Sequence, residues 1–166
     1  MVDFKTLANE ITALVNEWEK KLLSLPTEGI IQRRNSQNRT IKQIVGHLVD
    51  SASNNTHRTV HLQYHETPLD FPNYATFGNN DKWIAIQNYQ DENWAYLVQL
   101  WKYSILHFVH IIQQINPEKL ENEWISGENN SVTLKDMVEY FLPHFKLHFA
   151  EIEELVNKVV VYDSLD

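Results

Sequence analysis

Cysteine is absent from the 166 residues, which excludes disulfides, thiolate metal sites and a cysteine nucleophile. Glycine and proline are scarce, four and five, too few to punctuate a many-turned β fold. No apolar run approaches the roughly 18 residues that a membrane helix needs, and Met1-Val2-Asp3-Phe4-Lys5 lacks the apolar stretch of a signal peptide. The expectation is a soluble cytoplasmic chain without a membrane partner. Positive charge is also short, 14 Lys and Arg against 22 Asp and Glu, a net charge of −8. The basic pairs Lys20/Lys21 and Arg33/Arg34 stand alone. A field of that sign repels phosphate backbones, so nucleic acid is excluded as the main partner. What is there is 43% apolar residues and 11% aromatics, which rules out wholesale disorder. A chain of this length forms one domain, here 1–166, burying roughly 70% of its unfolded surface.

The apolar residues recur at helical spacing. Phe4, Leu7, Ile11, Leu14, Trp18 and Leu22 form one face of a first helix, ended by Leu25-Pro26. A second opens at Thr40, an N-cap with Gln43 three residues on, and runs to about Tyr64. A third carries Trp94, Val98, Trp101, Ile105, Phe108 and Ile112 and closes at Asn116-Pro117. The fourth opens at Thr133 and continues through Met137, Phe141, Phe145, Ile152, Leu155 and Val159, with Pro143 expected to kink it. The fold class predicted is all-α, a four-helix bundle with long crossover connections over 65–81 and 116–132 and no strand of consequence. Thr40-Ile-Lys-Gln-Ile-Val45 and Thr133-Leu-Lys-Asp-Met-Val138 share a pattern that suggests either an internal duplication or convergence of two capped helices.

Histidine is over-arranged. Eight in 166 residues produce roughly 0.4 pairs at i,i+4 by chance, yet His57/His61, His61/His65 and His144/His148 all have that spacing. Histidines one turn apart project from the same helix face and can grip a single ion. With His144 set at 0° and about 100° per residue, His148 falls near 40°, Met137 and Leu155 near 20° and Phe141 near 60°. The pair therefore points along the buried edge of its helix. Two buried imidazoles need partners, either a metal or backbone carbonyls and water. His47 is the natural third ligand, because the second helix's inward face turns polar past it at Ser51, Asn54, Asn55 and Arg58. The other reading makes His47, Asp50, Asn54 and Arg58 a solvated face. The run His57, His61, His65 reads as surface or cavity mouth, and His107 and His110 as solvent-facing.

Thr40-Ile-Lys-Gln-Ile-Val-Gly-His-Leu-Val-Asp50 with Ser51 to Arg58, and Tyr140-Phe-Leu-Pro-His-Phe-Lys-Leu-His148, resemble the second and last helices of DinB-like (YfiT-type) proteins. The order of these segments, their spacing and the chain length agree over the whole chain. The resemblance implies a four-helix bundle of unusual connectivity, often dimeric. It also implies one divalent ion, zinc or nickel, held by His47, His144 and His148. Characterised relatives include thiol-dependent transferases and isomerases.

Three neutral imidazoles leave an ion its full charge and open positions, the arrangement of a catalytic site. The function expected is activation of water or a low-molecular-weight thiol, as a hydrolase or a thiol S-transferase acting on a small molecule. Asp50 is a candidate either for orienting the ligands from behind or for a general base, and Asn54 and Arg58 are candidates for binding a polar or anionic group of the substrate. The loop His65 to Asp81, with Phe71, Tyr74 and Phe77, is either a lid or a packed surface loop. Two other classes stay open: a metal- or ligand-binding module without turnover, and an all-α interaction protein. A homodimer is expected from the many aromatics and the resemblance.

Overall fold

The computed structural model describes residues 3–157. Its four long helices are α1 (Phe4–Leu23), α3 (Ile41–His61), α5 (Trp94–Ile112) and α6 (Leu134–Asn157); Val159 of the expected last helix lies outside the described residues. Local chemistry explains their starts. Asp3 accepts the Lys5 N–H at the head of α1, and Asn93 accepts that of Tyr96 at the head of α5. At α3, Thr40 and Gln43 close a reciprocal capping box. Thr133 Oγ1 accepts the Asp136 N–H at 3.0 Å and so opens α6 as expected. The helix then runs without a break through Pro143.

α1 packs against α5 and α6, and α3 packs against α5 and α6. In a ring of four, α1 therefore stands opposite α3, and α5 opposite α6. The chain thus passes between diagonal helices twice, from α1 to α3 and from α5 to α6, while α3 and α5 are neighbours; an up-and-down bundle with short turns has no diagonal connection. The centre is filled by aromatic rings: Trp18 stacks on Phe149 at 4.0 Å between centroids, and Phe108 meets Phe141 edge-on at 4.7 Å.

The connections hold more structure than their sequences indicate. Helix α2 (Thr27–Gln32) lies between α1 and α3, and α4 (Asn79–Gln87) overlaps the end of the 65–81 segment and packs on α3. The 116–132 connection, expected to lack strands, contains an antiparallel hairpin, β1 (Glu123–Gly127) and β2 (Asn130–Thr133). Strands of five and four residues with a register shift between Ile125 and Gly127 are too short and irregular to show a two-residue period. Their turn uses Asn129 at φ +56°, one of the few side chains that tolerates the left-handed region. Leu69 adds a bridge to β1, its N–H reaching the Glu123 carbonyl at 2.8 Å, and so ties the 65–81 loop to the hairpin.

At Gly46 the ring of Tyr89 lies against the α3 backbone, and a Cβ added there would stand 2.2 Å from Tyr89 Cδ2. Tyr89 is buried and its hydroxyl donates to Asp50, so it has nowhere to retreat. Gly46→Ala should therefore destabilise the protein by about 1–3 kcal/mol through overpacking, despite the better helix propensity of alanine. Urea unfolding monitored by circular dichroism tests this.

Candidate metal centre

α3 and α6, neighbours in the bundle, bring His47 edge-on to His144 and His148. The rings of His47 and His148 are 4.7 Å apart, those of His144 and His148 are 4.6 Å apart, and His47 to His144 is 5.5 Å. One ring nitrogen from each lies within 4.8 Å of the other two. His47 and His148 are each only 5% exposed, as expected from the buried edge.

The outer nitrogens of His47 and His148 are occupied. His148 Nδ1 pairs with Glu151 Oε2 at 2.8 Å, and His47 Nδ1 pairs with the Tyr74 hydroxyl at 2.5 Å. In the tautomer that leaves Nε2 free, the His47 Nδ1–H donates to Tyr74, whose own O–H donates to the His47 carbonyl at 3.3 Å. Both Nε2 lone pairs then turn inward. His148 Nε2 lies 3.1 Å from His144 Nε2, a contact that requires one proton or one cation between them. Two ligands about 2.05 Å from one tetrahedral ion would be separated by about 3.3 Å, so the donor set fits a divalent ion. The outer partners are those that fix ring orientation in histidine metal sites.

Burial, with the neighbouring imidazoles adding to it, pushes His47 down to about 2 and His144 down to about 4. Burial also lowers His148, with Glu151 working against the shift. All three are therefore neutral, the form that binds metal.

The cluster forms part of the wall of a cavity of about 730 Å³. On α3, with His47 at 0°, Ser51, Asn55 and Arg58 fall near 40°, 80° and 20°, and all of them line it. Asp50, near −60° on the same scale, turns away and meets Tyr89 and Gln87, whose O–H and Nε2–H donate to its Oδ1 at 2.6 and 2.7 Å. Burial raises its carboxyl to about 6. Asn54 folds back, its amide donating to the Asp50 carbonyl at 2.9 Å. Neither Asp50 nor Asn54 lines the cavity. Of the loop aromatics, Tyr74 holds His47, Phe71 approaches Arg58, and Phe77 is exposed. His57, His65, His107 and His110 are exposed, and His61 pairs with Tyr64 at the surface.

Among the cavity residues that the sequence did not single out, Glu151, Arg39 and Trp124 matter most. Glu151 had a signal, the i,i+3 spacing from His148. Arg39 and Trp124 had none, because loop and hairpin carry them in from elsewhere.

The buried imidazoles imply an acid-sensitive fold. The unfolded chain binds more protons than the folded one below the ordinary histidine value of 6.5. Stability of the chelator-treated protein is therefore intact above pH 6.5 and falls as pH drops towards 4. Asp50, raised from 3.8 to about 6, acts in the opposite direction within that window. Urea titrations at pH 7 and 4.5 should show a fall up to about 2 kcal/mol smaller in His144→Ala than in the wild type.

No family model matches the chain, and no curated protein aligns with it significantly. Among solved structures, the fold is similar to YfiT from Bacillus subtilis, described as a probable metal-dependent hydrolase with an unusual four-helix bundle topology. The superposition has a TM-score of 0.78 at 17% sequence identity and covers 93% of this chain and 87% of that one, so the two share a fold.

Proposed function

We propose that this protein is a metal-dependent hydrolase of a small molecule, with His47, His144 and His148 as the ligands of one divalent ion. The observation that carries the reading is the meeting of three neutral imidazoles from two helices beside a cavity of about 730 Å³. Structural sites close around an ion with four protein ligands, whereas three ligands beside open space suit catalysis. The fold shared with YfiT, described as a probable metal-dependent hydrolase, supports the same reading. Zinc or nickel suits an all-imidazole set. When bound, such an ion supplies Lewis acidity that brings water, or a low-molecular-weight thiol, to its nucleophilic form near neutral pH.

The chain's own residues hold this arrangement. Glu151 and Tyr74 accept the Nδ1–H groups of His148 and His47 and so aim both Nε2 atoms at the cavity. The loop carrying Tyr74 is pinned by Asn73, whose amide donates to the Ser126 carbonyl at 2.7 Å, and so covers one side of the site. Arg39, paired with Asp81, and Arg58 place positive charge in the wall. Asp50 supports the packing of Tyr89 on α3 rather than the reacting groups. A cytoplasmic homodimer belongs to the same reading, and Tyr96, Leu100 and Tyr103, exposed on α5, are the surface it would cover.

Elemental analysis of untagged protein should find near-stoichiometric zinc or nickel in the wild type and none in His144→Ala/His148→Ala. A wild type that stays metal-free after reconstitution, with its fold intact, refutes the proposal. Metal without turnover of ester, amide, lactone or thiol-acceptor substrates would leave a binding module. Tyr74→Phe removes the outer partner of His47 and should weaken metal affinity about 10–100-fold, read by competition with a chromogenic chelator.

A further inference from the structure

Arg58 is 4% exposed and lines the cavity that holds the three imidazoles. Its guanidinium lies over Trp124, with Cζ 4.1 Å from the ring centroid. Nη1 donates to Asn55 Oδ1 at 3.2 Å, whereas Nε and Nη2 are buried and find no hydrogen-bond partner among the described residues. Those two N–H groups share one edge of the guanidinium and point the same way, the fork that takes both oxygens of a carboxylate. Arg39, in the wall of the same cavity, has this edge filled: Nε and Nη2 donate to Asp81 Oδ1 at 3.1 and 2.7 Å. Leaving two charged donors unpaired is unfavourable, and packing alone gives no reason to retain them. Burial lowers Arg58 only to about 10, so it remains cationic at neutral pH.

The geometry points to a substrate that carries a carboxylate, held by Arg58 while its reacting group lies at the three histidines. This inference rests on reading the cavity as a substrate site. A single guanidinium between aromatic rings matches one negative charge, whereas a phosphate dianion asks for more donors than Arg58 offers. On α3 the rise from His47 to Arg58 is about 16 Å, shortened because the long Arg58 side chain runs back along the helix to Asn55. Val132, Met137 and Phe141 contribute apolar wall to the cavity, so the acid has an apolar body several carbons long.

Hexanoate and hexanamide, alike in shape and different in charge, test this by calorimetric titration into full-length protein at pH 7.5. The wild type should bind hexanoate at least about tenfold more tightly. Arg58→Met should erase the preference, and Arg58→Lys, with the charge but not the fork, should retain only part of it. His144→Ala/His148→Ala should keep it, so failure of the metal reading leaves this result standing. Equal binding of the two probes by the wild type, or a preference that survives Arg58→Met, overturns the proposal. So does a preference lost only in the histidine variant, which places the carboxylate at the imidazoles. Tighter binding of hexyl phosphate than of hexanoate overturns the carboxylate class. If Arg58→Met does not fold, the wild-type comparison and Arg58→Lys still decide.

Discussion

A buried imidazole has two nitrogens to satisfy, and here two such rings and a half-buried third share one wall between α3 and α6. Each outer partner that the structure supplies constrains a further element. Glu151 sits one turn beyond His148 on α6, so that ring is set by its own helix. Tyr74 comes from the 65–81 loop, so the orientation of His47 depends on a segment that is in turn pinned to the hairpin. On the inner side His148 Nε2 meets His144 Nε2, with His47 close by, which makes the cluster a place where a cation relieves an otherwise unfavourable contact.

The topology serves the same end. With α1 opposite α3 and α5 opposite α6, the chain must cross the bundle between α1 and α3 and again between α5 and α6, and short turns cannot do so. These two crossings furnish cavity wall, Arg39 before α3 and Trp124 in β1, and the connection between the neighbours α3 and α5 adds Tyr74. The glycine at position 46 lets Tyr89 close over α3 beside Asp50, and this fixes the side of the helix that turns away from the cavity.

Charge in the cavity contrasts with charge on the chain as a whole. A net charge of −8 coexists with two buried arginines in one wall, Arg39 and Arg58. Asp81 neutralises the first, and among the described residues no carboxylate meets the fork of the second. A field summed over the surface therefore says little about the sign of a ligand that enters this cavity, where local donors act through a less polar medium.

What depends on residues within a turn or two of each other was legible in the order of the amino acids. Four stripes at helical spacing, the caps at Thr40 and Thr133, and the placement of His144 and His148 together on the inward edge of α6 all follow from local periodicity and hydrogen bonding. Which face of α3 meets the cavity was settled by packing, because it depends on what covers the other face. Asp50 and His47 are three residues apart, yet Tyr89, 39 positions from Asp50, claims the one, and Tyr74, 27 positions from His47, claims the other. The hairpin escaped for a related reason: its short strands are held by cross-strand pairs and by the bridge from Leu69, partners that no local pattern announces. Periodicity orients a helix relative to its own axis, while the identity of each buried group's partner is set by how distant segments pack.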